Sequence, residues 1–374
     1  MNKELARKTF ILTDEQKADL FNQYYNSDKP TTELIKEFGL SGLRSSQITY
    51  LFDDVITDVK CEYCGTLMQH EPPTRSNTEK DLYCPLCGHR FYRNSYDNCN
   101  CSGCIDKRNK MIENYITEQR TVQKKSIDEL SVWGKLLLGA LIHYGADGGN
   151  VISLSGYHCN LQLLANNDET EELINYFKDN SYLVLSKANS INNFSFRNNG
   201  TEFELSSHWG EKVFYDIWLS ENDLEILKNS NFNLSNEEIS ELWLKINKDE
   251  ALNFLLSIFE KYYITNYNIE EIDQIFDNYV RKFSLLQILN VIIYVTKQPA
   301  QDIALSDNRK QARIQAARDI VKHLKNYYNW VLKNNYEVRE IELNTFNFSM
   351  ATKFFYYKIL KQGEIGFSLI AVSE

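Results

Sequence analysis

The sequence predicts a multidomain chain, mainly α with small β, and three observations lead there. Apolar residues recur at helical spacing along most of the 374 residues. A cysteine-dense stretch in the first third interrupts that pattern. Alternating apolar and polar residues are confined to short runs after residue 181. Length implies more than one core, and the pattern divides into segments 1–58, 59–106, 126–235 and 236–374, joined between 107 and 125 by a polar helical connector.

In the first segment, Leu12 to Tyr25 places Leu12, Ala18, Leu20, Phe21, Tyr24 and Tyr25 at helical spacing, and Thr13-Asp14-Glu15-Gln16 is a capping box. Residues 26–30 form a turn, 31–38 a second helix stopped by Gly39, and Leu43 to Phe52 a third helix. Three short helices with a glycine turn before the last describe a helix-turn-helix. In the third segment, Ser131–Tyr144 is a strongly apolar helix, and a second helix runs from Asp168 to about Lys178. Strands are expected at 182–185, 193–197 and 212–219, which suits a winged-helix-like α+β domain. The last segment reads as helices over 237–246, 249–263, 269–279, 284–297, 308–333 and 348–360, with isolated strands at 341–343 and 365–372.

Composition narrows the class. With 25% charged and 43% hydrophobic residues the chain is globular, no stretch reaches the roughly 18 apolar residues of a membrane helix, and the start lacks an apolar signal core. A cytoplasmic protein with no membrane partner is expected. The net charge of −10 argues against a coat for nucleic acid, but it is unevenly spread. Residues 165–280 carry 8 basic and 22 acidic side chains, and residues 281–374 carry 14 and 8, so the two parts are expected to neutralise each other across an internal or oligomer interface.

Seven of the eight cysteines lie between 61 and 104, which in a reducing compartment reads as metal ligation. Cys61-Glu62-Tyr63-Cys64 and Cys84-Pro85-Leu86-Cys87 are paired C-x-x-C knuckles, each followed by glycine, at zinc-ribbon spacing. Each two-residue turn aims two thiolates at one ion, and four sulfurs about 2.3 Å from zinc close a tetrahedron with no position for water. One structural zinc is predicted. Cys99, Cys101 and Cys104 supply three ligands of a second site, whose fourth is open among His89, His70 and Asp106. Cys159 stands apart as a buried small hydrophobe.

Nucleic-acid signals are less specific. In a helix-turn-helix the start of the third helix reads base edges, here Arg44, Ser45, Ser46 and Gln47. Lys60, Arg75, Arg90, Arg93, Lys107 and Arg108 on or near the metal module are candidate phosphate contacts. Asp53, Asp54 and Asp58 work against them, and a protein-interaction scaffold is the alternative. DNA is favoured over RNA as the partner, with a homo-oligomer or protein partner open. Arg309, Lys310, Arg313, Lys322 and Lys325 make the helix over 308–333 basic and amphipathic.

Searches for phosphate loops, nucleophile elbows and metalloprotease or dinucleotide motifs find none, and the chain reads as non-enzymatic. One alternative remains. Arg318-Asp319-Ile320-Val321-Lys322-His323 matches the R-polar-x-x-x-H pattern of the helical ribonucleases called HEPN, which would make Arg318 and His323 catalytic.

The segments Cys61-Glu62-Tyr63-Cys64-Gly65, Tyr83-Cys84-Pro85-Leu86-Cys87-Gly88-His89, the Cys99/Cys101/Cys104 trio, Trp133 to Leu141 and Lys282 to Ile288 resemble a family of poorly characterised bacterial proteins. These pair a zinc ribbon with a helical C-terminal domain. The resemblance spans most of 60–374, though only the cysteines are specific. It implies a regulator or sensing subunit of a phage-defence or mobile-element system, names no activity, and offers no counterpart of His323.

Overall fold

The computed structural model describes residues 2–146, 149–155, 161–206 and 212–371; Cys159 lies outside them. The chain is mainly helical with small antiparallel sheets. It divides into two compact units, Met1–Tyr115 with Ser190–Ser206, and Ile116–Asn189 with Ser207–Glu374.

The first unit opens with α1 (Lys3–Thr9), capped by Asn2, and α2 (Asp14–Asn26), where Thr13 and Gln16 form the expected capping box. α3 (Thr31–Glu37) ends at Gly39, whose φ of +67° suits glycine. The third expected helix is a 3₁₀ helix, Ser45–Leu51. Ser45, Ser46 and the β-branched Ile48 and Thr49 are weak α-formers. A three-residue repeat sets Ile48 and Leu51 in line, and both are buried with Ala6, Leu20, Tyr24 and Leu34.

The cysteine-rich stretch forms a four-stranded antiparallel meander of β1 (Val55–Lys60), β2 (Leu67–His70), β3 (Leu82–Tyr83) and β4 (Arg90–Phe91). Its hydrophobic cluster consists of Cys61, Met68 and Cys84, with Leu82 against them. Arg75 anchors it to α2, its guanidinium donating to the backbone carbonyls of Tyr24, Ser27 and Lys29 at 2.6–2.9 Å. Tyr24 and Ser27 offer carbonyls that the end of α2 leaves without partners, and Lys29 lies in the turn that follows. α4 (Ser102–Gln119) follows, its last residues belonging to the second unit.

In the second unit, α5 (Val132–Ala140) is capped by Ser131 and widens into a π turn at Leu141–Gly145. β5 (Val151–Ser155), α6 (Asn167–Asp179) and β6 (Leu183–Leu185) come next. The strand expected at 193–197 is β7 (Phe194–Arg197), which pairs with β8 (Glu202–Leu205) as a hairpin of the first unit. β9 (Lys212–Ile217) returns to pair with β5 and β6, in the order β5-β9-β6, and α7 (Glu221–Lys228) follows.

The helices expected at 237–246 and 249–263 are one, α8 (Asn236–Lys261). Asn247, in the gap between the two expected helices, is fully buried and accepts the Tyr356 hydroxyl at 2.5 Å. The same hydroxyl accepts from Trp243 Nε1 at 3.0 Å. α9 (Ile269–Val280) and α10 (Leu285–Leu305) pack beside it, and α11 (Arg309–Asn334) packs on α10 and α9; α10 runs on through Pro299 beyond its expected end. α12 (Met350–Phe354) continues as a π turn, and Glu250 caps its start by accepting from Ser349 N at 2.8 Å. The expected strands at 341–343 and 365–372 are absent among the described residues. Short 3₁₀ turns stand at Leu343–Thr345 and Gly363–Ser368, and Phe367 stacks on Tyr356 with 4.1 Å between ring centroids. Lys325 of the basic helix pairs with Glu271 of the acidic stretch at 2.5 Å, one contact of the expected neutralising kind.

Candidate metal centres

The two knuckles fold alike because the backbone does the same thing in each. Gly65 N donates to Cys61 O and Gly88 N to Cys84 O at 2.9 and 3.0 Å; Cys61 N donates to Thr66 O and Cys84 N to His89 O at 2.8 and 2.7 Å. Both glycines sit in the left-handed region, at φ +73° and +71°. The result is a cluster of four thiols whose sulfurs all lie within 4.8 Å of one another. Cys61 Sγ is 3.5 Å from Cys87 Sγ, and Cys64 Sγ is 3.3 and 3.7 Å from those of Cys84 and Cys87. Four sulfurs at zinc–thiolate bond length around one tetrahedral ion would stand about 3.8 Å apart. The donor set therefore fits an ion of that size.

Four thiols this close cannot all ionise without a cation. Hydrogen bonds from Thr66, with help from neighbouring thiols, bring Cys64 down to about 6. For Cys87 the backbone bond at His89 acts downward, but burial and the three surrounding sulfurs outweigh it and push the thiol up to about 12. A bound divalent ion removes this conflict by making every thiolate favourable.

A second cluster brings His89 together with Cys99, Cys101 and Cys104, again within 4.8 Å. His89 Nδ1 stands 3.2 Å from Cys104 Sγ and 3.8 Å from Cys101 Sγ. A nitrogen and a sulfur sharing a tetrahedral zinc would be about 3.6 Å apart. Of the three candidates for the fourth ligand the structure selects His89. His70 instead faces the carbonyl of Glu71, and Asp106 lies along α4 outside the cluster. Cys99 accepts backbone N–H groups from Arg90 and Cys101 at 3.1 and 3.4 Å, which hold its thiol below the ordinary value despite burial. Burial lowers the His89 pKa and so favours the neutral ring, the form that ligates.

Residues of the first knuckle that are not ligands reach the second cluster. Inside the first knuckle, Tyr63 OH donates to Cys104 Sγ at 3.4 Å, and its ring meets the His89 ring edge-on at 4.9 Å. Glu62 Oε1 lies 3.8 Å from His89 Nε2, and its other oxygen pairs with Lys107 at 3.3 Å. At 3.8 Å Glu62 sets its charge beside the imidazole without a hydrogen bond to it. Gly103 is required here, since a Cβ would lie 2.5 Å from the Tyr63 ring. The β7–β8 hairpin closes the far side. Asn199 exchanges two hydrogen bonds with the Tyr92 backbone at 2.7 and 2.8 Å, and Arg108, buried over Phe196, donates to Cys99 O at 2.7 Å. Sequence reasoning missed the roles of Glu62, Tyr63 and the hairpin. Only the position of Glu62 and Tyr63 between two ligands hinted at any of it.

Several candidate nucleic-acid contacts are engaged in the fold. Arg75 and Arg108 hold backbone carbonyls, and Lys107 is paired with Glu62. Arg93 takes Lys80 O and Glu79, and Arg90 lies in a recess with Asp54, Glu71, Glu79 and Asp81. Gln47 Oε1 accepts from Arg44 N at 3.1 Å, while Arg44, Ser45 and Ser46 stand exposed. In the second unit, Arg318 and His323 line different recesses, Arg318 with Tyr267 and Glu271 and His323 with Tyr294 and Trp330. The five-residue step turns them to separate sides of α11.

No protein-family model matches the chain, and no curated protein or solved structure does. The resemblance to zinc-ribbon proteins thus rests on the cysteine motifs. No helix among the described residues is long and apolar enough to cross a membrane.

Proposed function

We propose that this chain is a zinc-stabilised, non-catalytic nucleic-acid-binding protein, in which two structural zinc ions rigidify the first unit and the Arg44–Ser46 turn meets duplex DNA. The observation that carries the reading is the completeness of both donor sets. Each supplies four protein ligands, and zinc held by four protein ligands has no position for a substrate or an activated water. Thiolate-rich sites also suit zinc over magnesium or calcium.

The DNA contact is supported by exposure on a fixed base. Ile48, Thr49 and Leu51 anchor the 3₁₀ helix in the core, leaving Arg44, Ser45 and Ser46 presented at its start. Such a short reading element suits a regulator or sensing subunit, the role the resemblance implies. Zinc content near two per chain, together with duplex binding that weakens on Arg44→Ala, is the expected result. Zinc near zero in protein purified without chelator would overturn the structural reading. Duplex affinity unchanged by Arg44→Ala would remove the turn from it.

A further inference from the structure

We propose that the groove between α10 and α11 binds single-stranded nucleic acid, stacking unpaired bases on Tyr294 and Trp330. The groove lies within the second unit and is independent of the metal sites and of Arg44. Its space is about 830 Å³, the size of a small-ligand site. Its rim leaves large rings in water, with Tyr294 67% and Trp330 47% exposed.

The rings form a continuous row. Tyr294 comes from α10, Tyr327 and Trp330 stand three residues apart on one face of α11, and Tyr336 follows the left-handed Asn335 that ends the helix. Successive centroids are 5.4, 6.0 and 4.9 Å apart. Planes tilted by 42–51° leave no ring stacked flat on its neighbour.

The rest of the lining selects the ligand. Lys297 brings positive charge, His323 an imidazole, and Gln298, Gln301 and Asn326 amides. Among the described residues no carboxylate lines the groove, although the chain as a whole has net charge −10. Val295 is its single aliphatic wall, too little to seat an apolar helix or an acyl chain. Flat rings, a cation and amide groups that can meet base edges are what an unpaired strand needs. Stacking carries no sequence preference, because every base has a π face.

The test uses the full-length, zinc-loaded protein and fluorescence anisotropy with labelled oligothymidylate and oligouridylate about 20 nucleotides long. Saturable binding of either is expected, weakened about 5-fold or more by Tyr294→Ala and by Trp330→Ala, since a stacked base contributes about 1–3 kcal/mol. Trp330→Phe should retain most of the affinity, and Lys297→Gln should reduce the salt slope by about 0.7. Both aromatic positions are exposed, so an unchanged melting temperature confirms the fold in each variant. Absence of binding, or affinity indifferent to both alanine variants, would overturn the proposal. So would a concentration-dependent dimer that Trp330→Ala dissociates, which would make the groove a self-interface. Arg44→Ala should leave single-strand binding intact, so this proposal and the duplex reading can fail separately.

Discussion

Tyr63→Phe and Glu62→Gln, made together, remove two contacts to the second metal centre from within the first knuckle and leave both sets of ligands in place. Tyr63 donates to Cys104 Sγ at 3.4 Å and Glu62 stands 3.8 Å from His89 Nε2. A hydrogen bond to a charged group contributes about 1.5–3 kcal/mol when buried; the exposure of Tyr63 places its bond at or below the lower end, and the exposed Glu62, 3.8 Å from the ring, adds a weaker charge contact. Loss of such supporting contacts lowers metal affinity about 10- to 100-fold, and the double variant is expected within that range at the second site alone. The first site should be unaffected, because its knuckle is closed by the backbone bonds of Cys61 and Gly65. Phenylalanine also keeps the ring that packs on Gly103 and His89. Cobalt substitution distinguishes a four-sulfur site from one with three sulfurs and a nitrogen. Competition with a graded chelator then follows each band separately. Equal weakening of both bands, or no change in the second, would refute the division of labour between knuckle and ligands.

Chelating both metals should unfold the metal module and raise amide exchange in the hairpin at 194–205, while α8 to α11 stay protected; hydrogen exchange resolved by segment checks this. Arg75→Ala should cost roughly 1–3 kcal/mol, because carbonyls at the end of α2 and in the turn after it lose their donor, and denaturant unfolding of the zinc-loaded chain measures it. Asp249, pushed up to about 7 chiefly by burial, holds its proton in the folded state well above the ordinary carboxyl range. The folded state then binds more protons than the unfolded one between about pH 4 and 7, so this group makes stability fall as pH rises through that window. Asp249→Asn should flatten the fall and raise stability at pH 8 by on the order of 1–2 kcal/mol, read from urea midpoints at pH 5 and pH 8.

Local signals in the sequence were legible where the chain itself decides the outcome. The Thr13 capping box, the stop at Gly39 and the ligand pairs all depend on neighbours a few residues away. The reading failed where distant residues decide. The gap between the helices expected at 237–246 and 249–263 closes around Asn247, which is buried and accepts from Tyr356. The apolar run 365–372 reads as a strand, but Phe367 is held by Tyr356 and among the described residues no strand pairs with it. His89 was one of three candidates for the second site, and only the fold of the second knuckle, with Cys84 N bonded to His89 O, aims its ring at Cys104.

The hairpin at 194–205 shows why segment boundaries drawn along the chain do not capture the metal module. Its strands look like ordinary members of the domain they interrupt, and β6 and β9, on either side of it in sequence, pair directly with each other. Yet Asn199 bonds the Tyr92 backbone, and Asn198 N donates to Ser95 O at 2.9 Å. Asn198, Asn199 and Gly200 take left-handed conformations in succession, which Asn and Gly tolerate best. The hairpin supplies what the cysteine-rich stretch lacks. That stretch has one small cluster of its own around Met68, and Phe194, Phe196 and Phe203 add aromatic packing over Tyr115 and Arg108. The chain therefore crosses between its units at Tyr115, at Asn189 and again at Ser206.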